Sequence, residues 1–127
     1  MNNQRRALFL SHGGGPLPLL GDAAHMEMVS NLKEIAKTIE RPSAIIVVSA
    51  HWEADNASIT SGESPKIIYD YRGFPPESYE IQYPCPGNPP LAISIAKELE
   101  KAGINVSTDN VRGFDHGLYV PLKIMYP

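Results

Sequence analysis

Residues 44–56 read AIIVVSAHWEADN. An apolar run, Ala44 to Val48, passes through Ser49 and Ala50 to His51 and the only tryptophan, Trp52, and the chain then turns acidic. A β-branched run without alternation is the pattern of a strand covered on both faces. Residues 7–15, ALFLSHGGG, are built the same way: four apolar residues end at Ser11-His12 and dissolve into glycines. Each run reads as a buried strand that delivers a histidine at its carboxyl end.

Between the two lies a helical pattern. Asp22 is placed to cap a helix running to about Glu40, in which Met28, Val29, Leu32, Ile35, Ala36 and Ile39 share one face. Arg41-Pro42 stops it. Strand, helix, strand is a βαβ unit, so the two strands are expected to be parallel and in one sheet. Short strands are predicted over 57–61 and 66–69, then an ordered loop; half of the twelve prolines fall between Pro75 and Pro90. Asn88 caps a second helix with Pro89 and Pro90 in its first turn and Gly103 at its end. A strand over 104–107, the glycine-punctuated loop NVRGFDHGLYVPL and a third helix starting near Leu122 complete the reading. The fold class expected is α/β: a mostly parallel sheet flanked by helices, in a single domain over residues 1–127.

Composition narrows the function classes. The chain has 127 residues, 43% hydrophobic and 20% charged, which is ordinary for a soluble globular protein. A net charge of −3 with no basic run longer than Arg5-Arg6 argues against nucleic acid as a partner. Every apolar stretch is interrupted well short of a membrane span, so no membrane role is expected. The start, MNNQRRALFLSHGGG, lacks both the apolar length and the small-residue cleavage site of a leader. One cysteine, Cys85, excludes an internal disulfide framework, suits a cytoplasmic location and has no evident activating partner.

In open parallel α/β sheets, ligands bind beyond the carboxyl ends of the strands, where this reading puts His12 and His51. Neutral imidazole is a common ligand for zinc and for Fe(II), and Gly13 to Gly15 leave room for a substrate. A single strand-end histidine is most simply a hydrogen-bonding cap; two in matched positions give the metal reading equal weight. His116, in GFDHG, follows Asp115, a carboxylate that could fix its tautomer; a polar loop is the plain alternative. His25 reads as surface or interfacial. Glu53 and Asp55 could complete a metal site or simply begin a solvated loop. HGGGP has the look of an esterase oxyanion loop, but no GxSxG nucleophile elbow accompanies it. No Lys-Ser/Thr pair follows the glycines, so it is not a phosphate loop either.

Together ALFLSHGGGPLPLL, IIVVSAHWE, IIYDYRGFPPESYEIQYPCPGNPPLA and GFDHGLYVPLKIMYP resemble, in the same order, the first half of the DODA-type (class III) extradiol ring-opening dioxygenases. One common member pattern has Gly-His-Gly-Ser-Pro at the first histidine; Ser-His-Gly-Gly-Gly-Pro keeps the histidine and shifts the proline. The resemblance implies a mononuclear non-haem Fe(II) site, with Zn(II) often occupying it in isolated proteins. It makes His12 and His51 the first two metal ligands and His116 an active-site histidine facing a catechol-like substrate or O2. Tyr69, Tyr71, Phe74, Tyr79 and Tyr83 could wall an aromatic pocket. Members are longer, and the resemblance puts the third ligand and a second acid/base histidine beyond Pro127. The chain is then expected to be the N-terminal part of a longer catalytic domain, truncated or proteolysed, which an intact mass set beside its gene tests. Such a part would leave sheet edges uncovered, which favours homo-oligomerisation or instability. Two other readings stand beside the enzyme: a non-catalytic metal-binding or dimerisation module of the same fold, and a metal-dependent hydrolase with Glu53 or Asp55 on the metal.

Overall fold

The computed structural model describes residues 6–127; residues 1–5, with the first part of the start rejected above as a leader, lie outside that range. Five regular elements follow one another: α1 (Met26–Lys37), β1 (Ala57–Thr60), α2 (Pro89–Lys101), β2 (Val106–Asp109) and α3 (His116–Met125). The expected α/β class holds. β1 and β2 pair in parallel, with Ala57 beside Val106 and Thr60 beside Asp109. The Ser61 N–H extends the ladder to the Asp109 carbonyl at 2.8 Å. α2 lies in the crossover between the strands and packs on both.

α2 forms for the reasons its sequence states. The Asn88 side chain accepts the Leu91 N–H at 3.1 Å, and prolines 89 and 90 occupy first-turn positions whose amides have no intrahelical acceptor. Ala92 and Ala96 are its buried residues. The chain leaves through Gly103 at φ +79°, a left-handed conformation that costs glycine nothing.

Beyond β2 the chain closes on the loop that precedes α2. Ile67 and Phe114 form a parallel bridge, fixed by Ile68 N–H to Phe114 C=O at 2.8 Å and Phe114 N–H to Lys66 C=O at 2.7 Å. The two backbones pass so closely that a Cβ on Gly113 would stand 1.9 Å from the Lys66 oxygen, which makes glycine obligatory there. The main core sits between α1, α3 and this loop. Leu32 comes from α1; Tyr119, Val120, Ile124 and Met125 come from α3; Tyr71 comes from the loop. Leu10 and Leu19 pack against it from the histidine-glycine segment.

Several sequence expectations shift. The helix expected from Asp22 to about Glu40 is a 3-10 turn, Ala23–His25, followed by α1, and Asp22 makes no side-chain cap because its carboxylate is bonded to His25. The strand expected over 104–107 lies two residues further on, and that over 66–69 is reduced to the Ile67 bridge. α3 begins at His116, six residues before the expected Leu122, because Asp115 caps it by accepting the Leu118 N–H at 3.2 Å. Proline at 121 speaks against a helix in sequence, yet it is accommodated inside α3.

The largest correction concerns the two runs that suggested the βαβ unit. Among the described residues, neither 7–10 nor 44–49 pairs with another strand, and Phe9 and Val48 stand 105% and 95% exposed. Apolar character states that a segment stabilises a fold by being covered. It does not say what covers it, and so it does not make the two runs each other's partners.

Candidate metal centre

His12 leads into the glycine turn that precedes residues 17–25, His51 follows the second apolar run, and His116 is the first residue of α3. These three converge. The Nε2 atoms of His12 and His51 are 2.9 Å apart, and the ring centroids of His116 lie 5.1 Å from His12 and 4.1 Å from His51. One ligand nitrogen from each of the three lies within 4.8 Å of the others. Two imidazole donors on one ion, each at about 2.1 Å and roughly at right angles, stand about 3 Å apart. The His12–His51 spacing fits that geometry, and an uncharged imidazole pair is the donor chemistry that zinc or Fe(II) takes. Burial lowers the His12 pKa, and the neighbouring His116 and His51 lower it further. The neutral, ligating form of His12 is thereby favoured.

Two of the three histidines are held from behind. The Asp70 carboxylate accepts both the His116 amide N–H, at 3.0 Å, and its Nδ1–H, at 2.8 Å. That bond fixes the tautomer and leaves Nε2 as the open position of the His116 ring. Burial opposes ionisation of Asp70, but the hydrogen bonds from the His116 ring and amide hold the carboxyl below its ordinary range. His51 is tied through Ser49. The Ser49 hydroxyl accepts the His51 N–H at 3.2 Å and donates to Asp115 Oδ1 at 2.7 Å. Asp115 also accepts from Arg112 at 3.2 Å, and that guanidinium lies 4.7 Å from the centre of the Trp52 ring. The turn bearing His51 is thus bound to the start of α3 by polar contacts as well as by the His51–His116 ring contact.

The aromatic loop divides into two roles. Tyr71 faces the site edge-on, 5.9 Å from the His116 ring, and joins a cluster with Tyr69, Phe74 and Tyr79. Tyr119 donates to the Tyr71 hydroxyl at 2.8 Å, and Tyr71 donates to the Ser78 carbonyl. Burial raises the pKa of both tyrosines, so they stay neutral and orient the wall behind His116. Tyr83 instead donates to the Tyr126 carbonyl at 3.1 Å and secures the end of α3.

Of the residues singled out from sequence, His12, His51 and His116 come together. Glu53 and Asp55 are exposed and stand outside the cluster. Cys85 is half-buried in a proline- and tyrosine-lined groove with Lys66 and Gln82. Asp115, read as the partner of His116, caps its helix; the carboxylate on the ring is Asp70. Sequence reasoning missed Asp70; the one signal present was a single acid between two tyrosines, YDY. His25, read as surface or interfacial, is half-buried and bonded on both ring nitrogens within the chain.

A family model for the catalytic LigB subunit of aromatic ring-opening dioxygenases matches residues 6–127. The chain belongs to that family. Among curated proteins it is similar to dioxygenase tasH of Hapsidospora irregularis, 44% identical over 126 residues, covering 93% of this chain and 39% of the relative. It is also similar to 4,5-DOPA dioxygenase extradiol of Beta vulgaris, 38% identical over 127 residues, covering 99% of this chain and 47% of the relative. The protein of the same name in Escherichia coli K12 is 41% identical over 122 residues, covering 95% and 43%. The chain spans less than half the length of the curated relatives it matches. Among the described residues no helix is long and apolar enough to cross a membrane.

Proposed function

We propose that the chain carries the metal-binding and substrate-facing part of an extradiol ring-opening dioxygenase, an α/β unit of a longer catalytic domain, acting on a catechol-like substrate with O2. The single observation behind this is the meeting of three histidines from three separate segments, two of them with Nε2 atoms at ligand spacing. His12 and His51 hold the ion through Nε2, with Fe(II) as the native metal and Zn(II) able to occupy the site in the isolated protein. Such an ion supplies Lewis acidity toward the catechol oxygens and, as iron, redox access to dioxygen.

The remaining work belongs to the protein. His116, with Nδ1–H held by Asp70, presents a bare Nε2 that accepts a proton from a catechol hydroxyl as the substrate binds. Its burial at 6% exposure and the packed Tyr71 keep bulk water from competing for that nitrogen. The family and the printed names of the relatives support ring opening as the reaction class. The hydrolase reading lacks its carboxylate, because neither Glu53 nor Asp55 reaches the cluster.

The test is anaerobic Fe(II) loading of the full chain, elemental analysis, and addition of a catechol with air while a coloured ring-opened semialdehyde is sought. His51→Ala is expected to lose most of the metal. His116→Ala is expected to keep it and to lose turnover by roughly 100-fold or more. Wild-type metal content in His51→Ala would sink the site. Metal held by wild type with no ring opening would favour the non-catalytic metal-binding module.

A further inference from the structure

His25, which the sequence offered as surface or interfacial or as a source of the missing metal donor, is not at the histidine cluster. Its ring lies against the turn that follows His12. Nε2 accepts the Gly14 N–H at 3.0 Å, and Nδ1 meets Asp22 Oδ2 at 2.6 Å. A backbone amide can only donate, so Nε2 must be the acceptor and Nδ1 must bear the proton that Asp22 takes. The chain Gly14 N–H, imidazole, carboxylate is therefore read in one direction and is satisfied at every atom.

The contact is also steric. A Cβ on Gly13 would lie 2.6 Å from His25 Cδ2 and 2.9 Å from Pro18, and Gly13 itself has φ +73°. Only glycine can both adopt that conformation and let the imidazole close on the backbone. The turn is closed behind the ring as well: Leu17 N–H donates to Gly14 C=O at 3.1 Å, and His25 N–H to Asp22 C=O at 3.1 Å. His12 has no comparable side-chain support, for its Nδ1 is buried without a hydrogen-bond partner. Asp70 steadies His116 and Ser49 steadies the turn at His51; what steadies the backbone beside His12 is His25.

We propose that His25, with Asp22 behind it, is a positioning residue for the metal site: it clamps the Gly13–Gly14 backbone and thereby sets the placement of the His12 ring. The proposal rests on the reading that His12 is a metal donor. A side chain there needs an acceptor for Gly14 and a donor for Asp22 at once, which the neutral imidazole provides and an aliphatic residue does not. HGGGP and the more distant Asp22 and His25 thus act together as a rigid support for one ligand.

The experiment is a Co(II) titration of the full chain, followed by visible absorption, with thermal unfolding of the metal-free protein measured in parallel. His12→Ala is the control for the underlying reading and is expected to abolish the tight binding. His25→Ala is expected to weaken Co(II) binding by roughly 10-fold or more, the scale on which ligand-orienting partners act. Its absorption bands should change in shape, while the metal-free unfolding temperature moves little. His25→Gln, whose side-chain oxygen can accept the Gly14 N–H, should recover part of the affinity. Loss in His12→Ala with wild-type affinity and bands in His25→Ala overturns the clamp and leaves the metal site standing. Wild-type binding in His12→Ala overturns the metal reading itself. If His25→Ala does not fold, Asp22→Ala decides: it leaves the imidazole in place, must weaken Co(II) in the same sense, and overturns the proposal if it does not.

Discussion

Residues 44–52 contain two regions that behave oppositely within nine positions. From Ala44 to Val48 the chain is apolar and exposed, with Ile46 and Val48 among the most solvent-accessible large hydrophobics. From Ser49 to Trp52 it is polar and tightly held, by the Ser49–Asp115 bond, the His51 amide and the Arg112 guanidinium over Trp52. The apolar half, which looks like the structural part, contributes little to the packing of the described residues. The polar half, which looks like the functional part, also provides the local structure. The three-histidine cluster is assembled by hydrogen bonds between loop ends and a helix N-terminus rather than by a sheet edge carrying the imidazoles. That arrangement suits a site whose donors must be held to fractions of an ångström.

Substitutions can break this contrast or sharpen it. The largest effect is expected for Asp115→Ala, which removes the α3 cap and the Ser49 acceptor and leaves Arg112 uncompensated; about 3 kcal/mol of unfolding free energy should be lost in a denaturant titration.

Asp70→Asn should cost about 1–3 kcal/mol at neutral pH, because it removes a charged acceptor of two bonds. Its pH dependence carries a sign. The folded pKa of Asp70 is depressed, so its carboxylate contributes stability above the ordinary aspartate value of about 3.9. The contribution is lost as pH falls through the lower folded value. The gap between wild type and Asp70→Asn should therefore be constant at neutral pH and close below about pH 4. A gap that widened on acidification would contradict the bond.

Ser49→Ala should cost about 1 kcal/mol and reduce metal affinity, since it frees the turn at His51 while leaving the imidazole intact. The smallest effect belongs to the apolar half. Val48→Ser should change stability by no more than about 0.5 kcal/mol, as for other exposed sites. A loss above about 1 kcal/mol would mean that Val48 is covered in solution, and sedimentation would then show whether a second copy covers it.

Much of the fold was legible because its signals are local. Asn88, two prolines and Gly103 specify α2 through capping and backbone preference alone, and it forms within a residue or two of expectation. α3 was only half legible. Asp115 is as good a cap as Asn88, but the glycines and proline around it read as a loop, and the buried contacts of Tyr119 and Val120 outweigh those local costs. The strands were least legible, since pairing depends on what lies alongside and not on composition.

The site followed the same division. That His12, His51 and His116 are the candidate residues, which the structure brings together, could be read from residue type and motif, because imidazole is a common metal donor and the flanking glycines mark close approach. The sequence by itself therefore determined the family resemblance, the helices with strong caps and the α/β character. Only the tertiary structure decided that Asp70 and not Asp115 holds the His116 ring, that Ser49 reaches across to α3, and that His25 closes on Gly14. Those pairings join residues far apart in the chain, by 46 positions for Asp70 and His116 and 66 for Ser49 and Asp115. A hydrogen bond acts over about 3 Å, so no pattern along the sequence carries it until packing has brought its two ends together.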